Sequence, residues 1–387
     1  MKKINQILSY VLVALLAGTA TFAFVTRSMP ENYTKLEQLS DLIGERFIGE
    51  ADPTAMQDAA ADAMVRSLGD RWSYYIPAAE YGSYQEQMDN AYVGVGITIQ
   101  LREDGYLDVV QVTPGGPAEA AGMVPGDILR QVDGRDVAEL GINETRNLVR
   151  GEENTAVDLT VLRSGTEQTI EVVRAYFETP VVESEMLEDG IGYIRILNFD
   201  GRCAEETIAA VEQLRADGAG ALLFDVRNNP GGYKDELVKI LDYLLPEGPL
   251  FRSESYDGSS HVDESGPECV DLPMAVLVNS ESYSAAEFFA AALREYEAGP
   301  VIGEKTVGKG YFQQTYKLLD GSAVGLSVGK YSTPKGINLA GVGIEPDVTV
   351  EVDDGMFAQI YYGTLNPAED PQIQAAIDTL KTGNNLD

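Results

Sequence analysis

The spacing of apolar positions changes along the chain, and each change predicts a different kind of structure. Between residues 28 and 90, apolar side chains recur at offsets of three and four, as at Leu36, Leu39, Ile43 and Phe47. This spacing is typical of amphipathic helices. No catalytic motif stands out in this helical segment, so we expect it to serve in packing or in a homodimer.

From residue 91 the pattern becomes typical of β-structure. Val93, Val95, Ile97 and Ile99 alternate with glycine and polar residues, which predicts one strand from Tyr92. We assign residues 91–175 to this unit. It contains a turn at 114–117, a short helix at 118–121, the runs G-D-I-L at 126–129 and V-D-G at 132–134, and strands at 157–162 and 169–173.

This order of elements resembles a PDZ domain. PDZ domains bind the free carboxyl end of a peptide by strand addition, and backbone N–H groups of a glycine-containing loop hold the carboxylate. The resemblance implies that the loop consists of Gly94, Val95, Gly96 and Ile97.

From Gly190 onward, apolar strands alternate with amphipathic helices. The predicted strands lie at 191–197, 221–226, 274–278, 301–302, 313–317 and 323–331, and the predicted helices at 205–215, 233–245 and 285–296. This alternation predicts an α/β domain. We assign residues 176–352 to this domain and residues 353–387 to a helical tail.

The amino terminus predicts a membrane segment. Lys2 and Lys3 precede an uncharged run that ends at Arg27, and its length suits one bilayer-spanning helix. The lysines favour a cytoplasmic amino terminus. We expect a membrane anchor at 1–27 and a protein body on the extracytoplasmic face. The alternative is a cleaved signal peptide and a secreted protein.

Composition excludes several functions. The formal net charge of −34 argues against nucleic-acid binding. One histidine, His261, lies in a polar stretch that predicts a surface loop. A Ser-His-Asp triad and an H-E-x-x-H zinc site are therefore not expected, and no cofactor or metal is implied. Cys203 and Cys269 could pair or remain free thiols.

Two segments retain catalytic potential. Residues 303–310 match a P-loop except that Gly310 replaces the hydroxyl that binds magnesium, so we set nucleotide binding aside. What remains is Lys309 between two glycines. Ser284 follows a predicted buried strand and opens a predicted helix. By itself, Ser284 could be a helix cap or an exposed nucleophile.

Together these motifs resemble the carboxyl-terminal processing peptidases, also called tail-specific proteases. Ser284 lies in S-Y-S-A-A-E at 282–287, Lys309 follows 25 residues later in G-K-G, and Gln313 comes four residues after that. The R-N-N-P-G-G run at 227–232 and Y-S-T-P at 331–334 also match. The resemblance implies an α/β protease core of ClpP/crotonase-like fold with an inserted PDZ domain.

The resemblance also implies roles for individual residues. Ser284 would be the nucleophile, Lys309 its base and Gln313 the partner that orients the lysine. The expected oxyanion donors are the backbone N–H groups of Gly231, Gly232 and Ala285, and the expected supporting residues are Arg227 and Glu287. Substrates would be proteins or peptides with exposed carboxyl termini. The alternative is a catalytically inactive PDZ scaffold that binds peptides.

Two positions depart from the family pattern. Tyr283 stands where alanine is usual, and Ala286 stands where serine is usual. Neither change removes a catalytic group, but Tyr283 is expected to alter the pocket beside the nucleophile.

Overall fold

A computed structural model describes residues 31–384, which divide into two compact units at Pro77. The first unit contains α1 (Glu31–Arg46), α2 (Pro53–Arg66) and the short strand β1 (Tyr74–Ile76). Asp52 caps α2 by accepting hydrogen bonds from the N–H groups of Thr54 and Ala55.

The membrane segment expected at 1–27 lies outside the described residues. Within 31–384, every helix is too short or too polar to cross a bilayer.

The second unit begins with α3 (Ala78–Met88) and continues into the residues of the expected PDZ domain. The elements that follow are β2 (Ala91–Gly94), β3 (Ile97–Leu101), β4 (Leu107–Val112), α4 (Pro117–Ala120), β5 (Ile128–Val132), β6 (Arg135–Asp136), α5 (Val137–Val149), β7 (Ala156–Arg163), β8 (Thr166–Val173) and β9 (Ala175–Glu178). Strands β3, β4, β5, β7 and β8 pair in that order, whereas β2 pairs with β9 in a separate ribbon. Fully buried Leu107, Leu129 and Leu159 lie in the core of this sheet.

Two expectations for this region need correction. The single strand expected from Tyr92 is two strands, because the chain turns at Gly96, whose φ is +80°. Alternation of apolar residues continues through the turn, so the pattern could not reveal it. Helix α5 was not predicted, and it is interrupted at Gly141, where φ is 73° and ψ is 168°.

The α/β core contains a six-stranded sheet. Its chain runs through β10 (Val182–Met186), β11 (Ile191–Ile196), α6 (Cys203–Ala216), β12 (Ala221–Asp225), α7 (Lys234–Leu244), β13 (Gly248–Ser255), β14 (Ser260–Ser265), β15 (Met274–Val278), α8 (Ala285–Glu295), β16 (Val301–Gly303), β17 (Tyr311–Lys317), β18 (Ala323–Ser332), β19 (Val348–Thr349), α9 (Asp354–Tyr362) and α10 (Pro371–Asn384). Strands β10, β11, β12, β15, β16 and β19 pair in that order, and all the pairs after β10–β11 are parallel.

Both faces of this sheet are covered, which explains why its strands are apolar throughout. All residues of β11, β12 and β15 are buried. Helices α6, α7 and α8 contribute to the core on one face. Helix α10 packs Ile373, Ala376, Ile377 and Leu380 against the other face. Cys203 is buried in α6 and Cys269 is exposed, and the two thiols are unpaired.

A second, antiparallel sheet contains β14, β13, β18 and β17, each paired with the next. The surface loop expected around His261 was therefore wrong, because His261 lies in β14. Its side chain is exposed, and its Nε2 lies 3.2 Å from Asp263 Oδ1. Polar residues in these strands concealed the hairpin.

Candidate active site

Ser284 lies at a strained turn between β15 and α8. Its φ of 60° and ψ of −124° are unusual for a residue with a side chain. Such a conformation costs about 1–3 kcal/mol and persists at functional sites where surrounding structure enforces it. Nine consecutive residues of α8, from Ala285 to Leu293, are buried and hold the helix firmly. The serine is thus fixed in front of the positive end of a buried helix.

Two glycines allow the chain to approach this serine. A Cβ at Gly231 would lie 2.6 Å from Ser284 Cβ and 2.9 Å from the Ala285 nitrogen, so a side chain there would collide with the nucleophile. A Cβ at Gly232 would lie 2.3 Å from the carbonyl carbon of Phe199. The glycine turn is therefore packed directly against both the serine and the segment that follows β11.

Glu287 connects the serine to the lysine loop. Its side chain is completely buried. Oε2 accepts hydrogen bonds from the backbone N–H of Ser284 at 3.0 Å and from that of Lys309 at 2.8 Å. Oε1 accepts from the Gly308 N–H at 2.8 Å and from the Thr306 hydroxyl. Burial raises the pKa of this carboxyl, and the four hydrogen bonds oppose that rise.

The G-K-G segment needs glycine on both sides of the lysine. Gly308 has a φ of 85°, and a Cβ there would lie 2.9 Å from the Gly343 nitrogen. A Cβ at Gly310 would lie 2.5 Å from the Ala340 nitrogen. Lys309 itself is half-buried, and its Nζ lies 5.8 Å from the centre of the Tyr283 ring. The ring of Tyr283 thus lies beside the amine that we expected to act as base.

Tyr331 was missed as a site residue by the sequence analysis. Its hydroxyl donates a hydrogen bond of 3.2 Å to Ser284 Oγ. The side chain is buried, and burial raises the pKa of the phenol, which therefore remains a donor. The Y-S-T-P match at 331–334 marked this position, but nothing in it showed that the tyrosine contacts the nucleophile.

Replacing Tyr331 with phenylalanine tests the contact. We expect kcat to fall about tenfold, because Ser284 loses a donor that fixes its hydroxyl. The melting temperature should change little, because the aromatic packing against Phe288 and Phe251 remains. Steady-state kinetics and thermal unfolding measure both effects. An unchanged kcat would show that the hydroxyl is dispensable.

Gln313 and Arg227 are held by other partners. Gln313 Nε2 donates to the Tyr311 carbonyl at 3.2 Å and to Ser327 Oγ at 3.0 Å. Arg227 is buried and donates to Asp225, Asp370 and Gln372. The arginine thus joins the end of β12 to the start of α10 and supports the sheet edge that carries the glycine turn.

The loop expected to bind the carboxylate of a peptide lies where β2 is followed by β3. Val95 is buried, and its carbonyl accepts a hydrogen bond of 2.7 Å from Ala118. The Gly96 carbonyl accepts one of 3.0 Å from Thr113. Among the described strands, β3 lies at the edge of its sheet and pairs with β4. An extended peptide could therefore add beside it.

Two parts of the chain match the profiles of known protein families. Residues 190–350 match the profile of peptidase family S41, and residues 109–163 match that of a PDZ domain. The protein is a PDZ-containing serine peptidase.

The chain is also similar in sequence to known bacterial proteases. The chain is 30% identical over 359 residues to a CtpA-like serine protease of Staphylococcus aureus strain COL, across 90% of this chain and 72% of that protein. It is 31% identical over 330 residues to a CtpA-like serine protease of Staphylococcus haemolyticus, across 84% and 66%. The chain belongs to peptidase family S41.

A solved S41 protease from Bacteroides fragilis shares the fold. It aligns with a TM-score of 0.57 over 88% of this chain and 93% of that one. At 17% identity this likeness concerns architecture alone.

Proposed function

We propose that this peptidase cleaves proteins near their carboxyl ends, with Ser284 as nucleophile and Lys309 as general base. The observation that carries the proposal is the pair of hydrogen bonds to Glu287 Oε2. They hold the backbone nitrogens of Ser284 and Lys309 no farther apart than the combined length of the two bonds, 3.0 and 2.8 Å. One buried carboxylate thus positions both halves of the reacting pair.

The chemistry follows from this arrangement. Neutral Lys309 removes the hydroxyl proton as Ser284 Oγ attacks the scissile carbonyl. The resulting ammonium returns that proton to the leaving amine when the C–N bond breaks. Lysine then activates water, which hydrolyses the acyl ester and regenerates the serine. Tyr331 donates to Oγ, so the serine's own proton is free to point elsewhere, toward the base.

Of the three expected oxyanion donors, two fit the geometry better. Ala285 is the first residue of α8, where N–H groups lack helical partners. Its nitrogen lies beside the gap left by the missing side chain of Gly231. In this conformation the Gly231 N–H donates to Asn229 Oδ1 at 2.8 Å. We therefore propose Ala285 and Gly232 as donors, and Gly231 as the residue that leaves room for the carbonyl.

Substrate choice is proposed to come from the PDZ domain. The edge of β3 and the loop of Gly94, Val95, Gly96 and Ile97 would hold the terminal carboxylate of a protein. The extracytoplasmic location inferred from Lys2, Lys3 and the apolar run remains part of the same proposal, because it determines which proteins the peptidase meets.

The test compares one protein substrate in two forms, with a free and with an amidated carboxyl end. We expect the free form to be cleaved faster by roughly tenfold or more, because amidation removes the group that the loop binds. Mass spectrometry of the fragments gives both the rates and the positions of the cuts. Equal rates would remove the PDZ domain from substrate choice, and no cleavage of either form would favour the inactive scaffold.

A further inference from the structure

Asp200 is a buried carboxyl group that the proposed mechanism does not use. It follows β11, and only 7% of its surface is exposed. Its Oδ1 has no hydrogen-bond partner among the described residues. A buried, unpaired carboxylate is costly, so its retention calls for an explanation.

The position of Asp200 connects it to the active site. The preceding residue, Phe199, donates from its N–H to the Gly231 carbonyl at 2.8 Å and accepts from the Tyr233 N–H at 2.7 Å. A Cβ at Gly232 would lie 2.6 Å from Asp200 Oδ1, just as a Cβ at Gly231 would lie 2.6 Å from Ser284 Cβ. Asp200 and Ser284 therefore contact neighbouring residues of one glycine turn.

The surroundings of Asp200 are acidic and aromatic. Asp89, at the end of α3, packs its backbone against Gly201, with the Cα of Asp89 3.5 Å from a Cβ built on that glycine. Tyr233 is 44% exposed, and the charges of both aspartates act on its phenol, as do Tyr81 and Tyr84 of α3. We call Asp89, Asp200, Tyr81, Tyr84 and Tyr233 the acidic tyrosine cluster.

Cations contact other members of the cluster: Lys317 Nζ lies 5.1 Å from the centre of the Tyr81 ring, and Arg202 donates to the Asp89 carbonyl at 3.1 Å. The charge of Asp200 is not balanced in this way. Burial, with the charge of Asp89, raises the pKa of Asp200 to about 7. No cation among the described residues acts on it strongly enough to oppose that rise. The described residues contain no group of three or more histidine, cysteine or carboxylate side chains placed to hold a metal ion. Asp200 itself therefore has no cationic partner among the described residues.

We propose that the acidic tyrosine cluster is a subsite that binds a lysine or arginine side chain of the substrate, close to the scissile bond. The two carboxylates supply the counter-charge, and the half-exposed ring of Tyr233 supplies a face that attracts cations. A neutral side chain would leave Asp200 unpaired, so the subsite discriminates by charge. The inference rests on the proposed function, because it assumes that peptides lie across the glycine turn.

Binding to uncleavable protein tests the subsite separately from catalysis. In the full-length Ser284→Ala variant, fluorescence anisotropy would measure the affinity of peptides in which lysine, arginine or norleucine occupies one position at a time. The peptides carry amidated carboxyl ends, so that binding of their termini by the PDZ domain is reduced. At one position we expect lysine or arginine to bind about tenfold more tightly than norleucine at about pH 9.

A change of pH and a pair of substitutions test whether Asp200 causes this preference for cationic side chains. Near pH 5 Asp200 is protonated, so the preference should shrink toward unity. Asp89, Tyr233 and Cys203 are the other titratable groups that interact with it, and the guanidinium of Arg202 lies at the Asp89 carbonyl. Burial raises the pKa of both the Tyr233 phenol and the Cys203 thiol. Adding Asp200→Asn should abolish the preference, whereas the exposed control Asp271→Asn should retain it. Equal affinities at every position, no measurable binding of the cationic peptides, or a preference that survives Asp200→Asn would overturn the proposal.

Discussion

Replacing Lys309 with alanine is expected to lower kcat/KM for protein cleavage by roughly a thousandfold or more, because Ser284 then lacks the group that removes its proton. The fold should persist, since the hydrogen bond from Lys309 to Glu287 is made by the backbone nitrogen. Initial rates on an unfolded protein, with circular dichroism as the folding measurement, test both statements.

Lys305 provides a matched control for this variant. It belongs to the same loop, is 54% exposed and forms an ion pair with Glu345 on the surface. Lys305→Ala should therefore keep nearly full activity. Ser284→Ala should be as inactive as Lys309→Ala, and combining the two should cost little more, because residues of one catalytic unit are not additive. Substantial cleavage by purified Lys309→Ala protein would exclude the lysine from the mechanism.

Replacing Glu287 with glutamine is expected to reduce both stability and activity. The carboxylate accepts four hydrogen bonds, and the amide nitrogen of glutamine would face two of their donors. Leaving buried donors unpaired costs about 1–3 kcal/mol for each, so we expect a loss of several kcal/mol in the free energy of unfolding. Denaturant unfolding and initial rates measure the two losses.

Glu297→Gln is the matched control, since Glu297 lies just beyond α8 and is exposed. It should change neither quantity appreciably. If Glu287→Gln proved as stable and active as the parent protein, the carboxylate could not be what joins the serine to the lysine loop.

Local pattern predicted the α/β core well because its strands are buried on both faces. Strands such as β12 and β15 appear as short unbroken apolar runs between polar turns, which is typical of strands buried on both faces. Ser284 and Lys309 were expected to react because they lie in short motifs that resemble those of the family, and their roles stay a prediction. The structure brings their backbones together on Glu287.

What the sequence could not predict depends on contacts between distant segments. Tyr331 reaches Ser284 only because β18 crosses beside α8, 47 positions further along the chain. The unpaired Oδ1 of Asp200 lies against Gly232, which belongs to a distant segment of the chain. The hairpin around His261 is stabilised by pairing of β13 with β18, not by its own polar residues. Tertiary packing outweighed local preference in each case.

The rate at which an organophosphorus reagent labels Ser284 measures whether Lys309 activates that serine. Mass spectrometry would follow the modified residue in the parent protein and in Lys309→Ala, side by side at one pH. We expect Lys309 to be responsible for the reactivity of Ser284, with label on the serine in the parent protein and labelling at least about a hundredfold slower in the variant. Equal labelling rates in the two proteins would contradict it.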